Sequence, residues 1–260
     1  MRLKEKVAVV TGGAQGIGLA IAQRLAREGA CVTIADLNRD LAESAAQRIR
    51  DDGGEALAAQ TDVADREQVR AAIARTTERY SKLDLMFNNA GFNKPMPFLE
   101  VTEENWNAVL RVNALGVLIG MQEAAKVMIK QGHGGKIVNT ASIASRQGYP
   151  DFAPYCASKF AVVALIQAGA RALAQHRITV NGFAPGVVAT PLWETLDKDL
   201  MAIGSSSKPG EAIESFSSAI LLGRPAQADE VAGTALFLAS SDSDYMTGQI
   251  VAIDGGMVLV

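Results

Sequence analysis

The chain has 260 residues, 48% of them hydrophobic and 20% charged, which is the ordinary composition of a globular protein with enough apolar side chains for a core. Its formal net charge of −3 argues against the basic surface of a nucleic-acid-binding protein and against a polybasic membrane anchor. Two cysteines, Cys31 and Cys156, are too few for a disulfide framework. The N-terminus is charged where a signal peptide is apolar, and no apolar run reaches the length of a membrane span. We therefore expect a cytoplasmic protein without nucleic-acid or membrane partners.

Short apolar runs alternate along the chain with longer segments of helical periodicity. Several runs are apolar throughout, which is typical of strands buried on both faces of a parallel sheet. The predicted strands are Val7–Thr11, Cys31–Ala35, Ala56–Thr61, Leu83–Phe87, Lys136–Thr140, Ile178–Phe183 and Ile250–Ile253. The predicted helices are Ile17–Glu28, Arg39–Asp52, Arg66–Tyr80, Glu103–Lys130, Pro154–Gln175 and Asp229–Ala239. This alternation predicts a single α/β domain over residues 1–260, a Rossmann-type doubly wound parallel sheet of seven strands with helices on both faces.

Residues 190–224 depart from this alternation after the sixth predicted strand. They contain Trp193 and a run rich in glycine and serine from Gly204 to Gly210, with weak helical patterns on either side. An insertion of this size at the carboxyl end of a strand predicts a lid over a ligand crevice. The alternative is an elaborated surface loop.

A glycine-rich turn follows the first strand and leads into a helix. It is the run Thr11-Gly12-Gly13-Ala14-Gln15-Gly16-Ile17-Gly18, with the spacing Gly-x-x-x-Gly-x-Gly. Glycines there permit a tight turn and let the backbone approach a pyrophosphate at the helix N-terminus. A turn of this kind can also be purely structural.

Asp36 ends the second apolar run, eighteen residues after Gly18. A carboxylate there can accept hydrogen bonds from both ribose hydroxyls of NAD, and it would repel the extra phosphate of NADP. Gln15 adds no positive charge to the turn, and Arg39 is the one cation nearby in the sequence. The pattern favours NAD, the alternative being that Asp36 is an ordinary acidic residue before a helix.

Tyr155 and Lys159 are four residues apart at the start of an apolar helix. Positions i and i+4 share one helix face, so the Lys159 ammonium can approach the Tyr155 phenol and lower its pKa from about 10 towards working pH. That is what a general base for an alcohol requires. Ser142, at the end of the fifth predicted strand, would face the same crevice. Tyr-x-x-x-Lys alone is common by chance.

Together these motifs resemble the short-chain dehydrogenase/reductase family over essentially the whole chain. The other matching motifs are Asp62-Val63, Asn88-Asn89-Ala90-Gly91, Asn113 and Pro185-Gly186-Val187-Val188-x-Thr190. Their order and spacing are far more specific than any single motif. The resemblance is closest to the branch of diol/acetoin (butanediol) and sorbitol/polyol dehydrogenases, on residues 132–137, 190–193, 243–249 and 253–258.

The resemblance implies a role for each residue of a catalytic tetrad. Tyr155 would exchange a proton with the substrate oxygen, and Ser142 would hydrogen-bond that oxygen. Lys159 would bind the nicotinamide ribose and tune Tyr155, while Asn113 would hold a water of a proton relay through a backbone bulge. The implied NAD-binding residues are Gly12, Gln15, Gly16, Ile17, Gly18, Asp36, Asp62, Val63, Asn89, Ala90, Gly91, Thr140, Tyr155, Lys159, Pro185, Gly186, Val188 and Thr190. The substrate would meet Ser142, Ile143, Tyr149 and Trp193.

We therefore expect an NAD(H)-dependent oxidoreductase that interconverts a secondary alcohol of the polyol, diol or hydroxyketone class and its ketone by hydride transfer. Ile143 and Tyr149 stand where butanediol-type relatives tend to carry amides, so we expect an alcohol with an apolar or extended carbon face to be a better substrate than 2,3-butanediol. A ketoacyl-thioester or hydroxysteroid reductase is the alternative, and an NAD-binding redox sensor without turnover is the remote one.

Two further expectations concern metals and assembly. His133 and His176 have no cysteine or carboxylate at ligand spacing, which argues against a metal site. The resemblance implies a homotetramer, because in this family the two long apolar helices pack against partner subunits.

Overall fold

A parallel sheet forms the centre of the computed structural model, which describes residues 1–259. In this part of the chain its seven strands run in the order β3-β2-β1-β4-β5-β6-β9, with every neighbouring pair parallel. A separate parallel pair joins β7 and β8. The strands are β1 (Val7–Thr11), β2 (Cys31–Asp36), β3 (Glu55–Gln60), β4 (Leu85–Asn88), β5 (Gly135–Thr140), β6 (Ile178–Pro185), β7 (Val188–Ala189), β8 (Ala226–Gln227) and β9 (Ile250–Ile253).

Helices cover both faces of the sheet, as the apolar strands require. The helices are α1 (Gly16–Arg27), α2 (Arg39–Asp51), α3 (Arg66–Tyr80), α4 (Glu103–Leu110), α5 (Gly116–Gln131), α6 (Ala153–Leu173), α7 (Pro191–Ala202), α8 (Glu211–Ser217) and α9 (Ala228–Ala239). Buried side chains of α1, α2 and α9 form the core on one face, and those of α3, α5 and α6 form the core on the other. The predicted doubly wound α/β fold is confirmed.

The strand order reverses between β1 and β4, and this position determines where a ligand can bind. On one side of it the chain winds outward through β2 and β3, and on the other side through β5, β6 and β9. The crossovers leave the two sides in opposite directions, so a crevice opens at the carboxyl ends of β1 and β4.

The helix predicted from Glu103 to Lys130 is in fact three segments. Helices α4 and α5 are separated by a π-helical turn from Arg111 to Leu115. The turn contains Asn113, which is completely buried. A π turn inserts one extra residue into the helix, and periodicity alone does not reveal it.

Two helical segments are long and apolar enough to cross a membrane by length and composition, 103–131 and 150–176, which corrects the expectation that no segment reaches that length. Both pack on the central sheet, where α5 and α6 bury residues against β4, β5 and β6. They also carry Asn113, Tyr155 and Lys159. Both segments therefore lie where helices contribute to the protein core and to the candidate site.

Residues 190–224 contain α7 and α8 rather than an irregular loop. Leu200 and Ala212 are buried against Phe152 and Cys156 at the start of α6. The segment therefore covers the region beyond the ends of β5 and β6, where a lid was predicted; its opening and closing stay a prediction.

Candidate active site

One cleft of about 740 Å³ lies at the carboxyl edge of the sheet. Every residue predicted for the cofactor, the substrate and catalysis lines it, with the single exception of Asn113. The cleft runs from the end of β2, past the glycine-rich turn, to the aromatic side chains of α7 and α8. Residues distant in sequence are thus brought together by the switch in strand order.

Gly12 and Gly18 of the glycine-rich turn have no room for a side chain. Gly12 and Gly16 have φ values of +59° and +55°, a region that L side chains rarely adopt. A Cβ on Gly18 would lie 2.0 Å from the carbonyl oxygen of Gly12. Helix α1 begins at Gly16, and Gln15 before it forms no side-chain cap. A dinucleotide pyrophosphate fits this cradle, because backbone can approach it closely at an uncapped helix N-terminus.

The carboxylate of Asp36 is fixed at the end of β2. Its Oδ2 accepts a hydrogen bond from the backbone N–H of Ala14 at 3.1 Å, and its Oδ1 accepts one from Asn38 at 3.1 Å. Arg39 does not line the cleft but borders a separate hollow with Arg75. Among residues 1–259, Lys159 is the only cationic side chain that lines the cleft.

A network around Asn89 ties the ends of three strands together. The backbone N–H of Asn89 donates to Thr11 Oγ1 at 3.0 Å, and its Nδ2 donates to the carbonyl oxygen of Gly12 at 3.2 Å. Thr140 Oγ1 donates to Asn89 Oδ1 at 3.2 Å. The Asn89 side chain therefore positions the glycine-rich turn against β4 and β5.

Tyr155, Ser142 and Lys159 meet at the centre of the cleft. The Ser142 hydroxyl lies next to the Tyr155 phenol and interacts with it. Lys159 Nζ donates to the carbonyl oxygen of Thr140 at 2.8 Å and lies 5.6 Å from the centre of the Tyr155 ring. The i, i+4 spacing and the strand end of β5 thus bring the three groups together as predicted.

The pKa of Tyr155 differs from the expectation in direction. Burial raises it to about 12, although the interaction with Ser142 acts to lower it. Burial also lowers the pKa of Lys159 to about 8. The expected lowering of the Tyr155 pKa is therefore not seen in this structure, because removal from water disfavours the charged form of each group. At neutral pH Tyr155 is a phenol beside an ammonium.

Asn113 lies behind the cleft rather than in its wall. Its Oδ1 accepts a hydrogen bond from the N–H of Phe92 at 3.0 Å, and its Nδ2 donates to the Phe92 carbonyl oxygen at 2.8 Å. Nδ2 also lies 3.1 Å from Ser158 Oγ, and that hydroxyl donates to the Tyr155 carbonyl oxygen at 2.6 Å. The side chain therefore links the loop after β4 to the helix of Tyr155. A water held by its backbone stays a prediction.

Four aromatic rings form the far wall of the cleft. Phe216 is the centre of this cluster, with its ring 5.5 Å from those of Tyr149 and Phe152 and 5.6 Å from that of Trp193. Tyr149 and Trp193 were predicted to line the pocket, whereas Phe152 and Phe216 were missed. No motif marks Phe216, which reaches the cleft only because α8 folds back over it.

The loop after β4 supplies two further lining residues that the sequence analysis missed, Phe92 and Asn93. They follow the Asn88-Asn89-Ala90-Gly91 motif directly, and that adjacency was the available signal. Gly91 keeps this loop close to the site, since a Cβ on it would lie 3.1 Å from Asn113 Oδ1 and 3.7 Å from Lys159 Nζ.

Comparisons with known proteins show what the whole chain is similar to. A family model described as "Enoyl-(Acyl carrier protein) reductase" matches residues 12–258. The chain is similar to L-2,3-butanediol dehydrogenase of Corynebacterium glutamicum, with 43% identity over 97% of this chain and 98% of that protein. It is also similar to diacetyl reductase [(S)-acetoin forming] of Staphylococcus epidermidis (strain RP62A), with 38% identity over 97% and 98%. The solved structure of NAD⁺-bound xylitol dehydrogenase superposes with a TM-score of 0.93, at 33% identity over 98% of this chain and 100% of that chain.

Proposed function

The chain belongs to the short-chain dehydrogenase/reductase family, and we propose that it is an NAD(H)-dependent enzyme that interconverts a secondary alcohol bearing a second oxygen function and the corresponding ketone. The observation that carries this proposal is the convergence of Tyr155, Ser142 and Lys159 in the cleft that begins at the glycine-rich turn. The substrate classes named for the relatives, a diol, a diketone and a polyol, support the choice of substrate.

In ketone reduction Tyr155 acts as the acid. Its raised pKa keeps it protonated at neutral pH, so its O–H donates a proton to the substrate oxygen as negative charge develops there. Ser142 donates a hydrogen bond to the same oxygen, and Lys159 places a positive charge behind the phenol. NAD(H) bound along the glycine-rich turn would supply the hydride in reduction and accept it in oxidation. In oxidation the proton of the alcohol passes to the Tyr155 phenolate.

The acidic groups of the cleft support NAD rather than NADP. Asp36 and Asp62 lie along it, and among residues 1–259 Lys159 is the only cation in its wall. The 2′-phosphate of NADP adds about −1.5 to −2 charges. Placed beside Asp36, that phosphate would meet a carboxylate and no guanidinium.

The wall opposite the catalytic groups supports a substrate with an apolar or extended carbon face. Tyr149, Phe152, Trp193 and Phe216 offer ring faces there, and the buried side chain of Ile143 adjoins Ser142. Aromatic rings bind C–H surfaces well and leave one polar tip each in Tyr and Trp. A longer or cyclic carbon skeleton therefore buries more area in this cleft than a four-carbon diol does.

We also propose that the chain is one catalytic domain that assembles as a homotetramer in the cytoplasm. Exposed apolar side chains on α6 and near α5, such as Phe160 and Leu115, support a subunit interface. Cys31 and Cys156 are free thiols in the structure, in keeping with a reducing compartment. Light scattering of the purified protein tests the assembly, and a monomer would contradict it.

The proposal is tested by following NADH formation and consumption with the purified protein. The panel contains vicinal diols, sugar alcohols, hydroxyketones, cyclic alcohols and a ketoacyl thioester, each with NAD(H) and NADP(H). We expect turnover of diols or hydroxyketones with NAD(H), and a loss of at least about 10²-fold in the Ser142→Ala variant. Turnover of the thioester alone with NADPH, or NADH binding without turnover of any substrate, would contradict the proposal.

A further inference from the structure

Asn93 has a buried polar atom that nothing in the protein satisfies. It lines the cleft and is only 6% exposed, yet its Oδ1 has no hydrogen-bond partner within the described chain. A buried acceptor left without a donor destabilises a fold, so such a group calls for an explanation. One explanation is a ligand that reaches the carboxamide from the cleft after a rotation of the side chain turns the buried Oδ1 outward.

The backbone on both sides of Asn93 is held by other asparagines. Asn113 makes two hydrogen bonds to Phe92, at 3.0 and 2.8 Å, and the Nδ2 of Asn105 donates to the carbonyl oxygen of Lys94 at 3.1 Å. The two neighbours of Asn93 are therefore fixed by buried side chains of α4 and the π turn. The backbone that carries the Asn93 carboxamide is therefore held in place, which is what a specific contact requires.

Resting on the proposed function, we propose that Asn93 is a specificity-determining residue that hydrogen-bonds the second oxygen of the substrate, the one next to the reacting carbon. Asn93 lies beyond the end of β4, and Ser142 lies beyond the end of the neighbouring β5, in the same cleft. A two-oxygen substrate can therefore place its reacting oxygen on Ser142 and Tyr155 and its other oxygen on Asn93.

A carboxamide suits both oxidation states of such a substrate. Its oxygen accepts a hydrogen bond from a hydroxyl, and its NH₂ donates one to a carbonyl. The terminal torsion of an asparagine side chain is soft, so a rotation exchanges the two groups. Asn93 can then bind the hydroxyl of a diol and the second carbonyl of a diketone. Asn93 also offers the second oxygen of the substrate a hydrogen bond that the aliphatic side chain of Ile143 cannot offer.

The experiment compares substrates that share one carbon skeleton. 2,3-Butanediol and 2-butanol are oxidised, and diacetyl and 2-butanone are reduced, by the parent and three variants. Asn93→Leu removes the carboxamide at similar volume, and Asn93→Asp keeps an acceptor but loses the donor. Asn107→Leu is the control, because it replaces asparagine by leucine at an exposed position on α4 outside the cleft. NADH binding and circular dichroism report whether each variant is folded.

We expect the parent to prefer 2,3-butanediol over 2-butanol in kcat/KM by at least about tenfold, the size of one neutral hydrogen bond. Asn93→Leu should lose that preference while its activity on 2-butanol changes less than about threefold, and Asn107→Leu should keep it. Asn93→Asp should retain more activity on the diol than on diacetyl. If the preference survives in Asn93→Leu, or is absent in the parent, the inference is overturned. If the parent oxidises neither butanediol, 2-butanol nor any other panel alcohol, it is the proposed function that fails.

Discussion

Asp36 accepts a hydrogen bond from the backbone N–H of Ala14 at 3.1 Å, which joins the end of β2 to the glycine-rich turn. The second carboxylate oxygen is held by the N–H of Asn38. The charge of Asp36 is thus fixed at one end of the cleft before any ligand arrives. The Asp36 carboxylate therefore favours a ligand group that donates hydrogen bonds and disfavours an anionic one.

This geometry predicts the choice of cofactor. We expect the parent to prefer NAD over NADP in kcat/KM by at least ~10²-fold, or about 2.7 kcal/mol. Replacing Asp36 by Ser together with Gln15 by Arg should erode or reverse the preference, because a like charge is removed and a cation added. Asp36→Asn is the matched control that removes the charge alone and should reduce the preference less. Equal use of both cofactors by the parent would contradict the assignment.

The aromatic wall predicts the shape of the preferred substrate. We expect an alcohol with an extended or cyclic carbon face to exceed 2,3-butanediol in kcat/KM by about tenfold, or some 1.4 kcal/mol. Trp193→Ala should raise KM for the better substrate more than it weakens NADH binding, since Trp193 packs on Phe216 at the far end of the cleft. Trp106→Ala, outside the cleft, is the control. A low KM and fast turnover for 2,3-butanediol, both unchanged in Trp193→Ala, would contradict this account of the pocket.

Glu123 predicts how stability depends on pH. Its side chain is 4% exposed and accepts hydrogen bonds from Lys126 at 2.7 Å, Arg66 at 2.6 Å and Arg70 at 3.3 Å. Burial acts to raise the Glu123 pKa, but these bonds outweigh it and lower the pKa to about 2. The stabilisation is therefore present above the ordinary carboxyl pKa, near 4.5, and is lost as pH falls towards 2.

We accordingly expect Glu123→Gln to lower the free energy of unfolding at pH 7 by about 1–3 kcal/mol. The difference from the parent should shrink between pH 4.5 and pH 3. Urea denaturation at several pH values measures it, and Glu67→Gln, at a site 74% exposed, should cost less than about 1 kcal/mol. A difference that stays constant across this pH range would show that Glu123 does not act through its charge.

The raised pKa of Tyr155 predicts that the rates of ketone reduction and alcohol oxidation depend differently on pH. Ketone reduction uses the phenol, so its kcat/KM should be level from pH 6 to about 7 and should fall as Lys159 loses its proton around pH 8. Alcohol oxidation uses the phenolate and should become faster as pH rises over the same range. Initial rates in both directions on one alcohol and ketone pair test this. A rate of oxidation independent of pH would contradict it.

The sheet was predictable from the sequence because local patterns encode it, whereas most of the site residues were implied by the family resemblance. Uninterrupted apolar runs mark buried parallel strands, and the glycine spacing before α1 and the helical spacing of Tyr155 and Lys159 are local as well. Features that depend on packing were not predictable. The direction of the Tyr155 pKa shift depends on burial, and Phe216 reaches the cleft only through the fold of α8. Asn93 follows the Asn88-Asn89-Ala90-Gly91 motif directly, but that its Oδ1 is buried without a partner depends on packing and cannot be read from the sequence.

Replacing Tyr155 by Phe tests the catalytic assignment most directly. Tyr149→Phe is the matched control, because it removes a phenol hydroxyl from the same cleft, one that bonds Gln147 at 2.7 Å and not Ser142. The measurement is kcat for NAD-linked alcohol oxidation together with the Kd of NADH. We predict that Tyr155→Phe binds NADH within about threefold of the parent but loses at least ~10²-fold in kcat, while Tyr149→Phe keeps most of its kcat. A Tyr155→Phe variant that retains most of its kcat would contradict the assignment of Tyr155 as the acid/base.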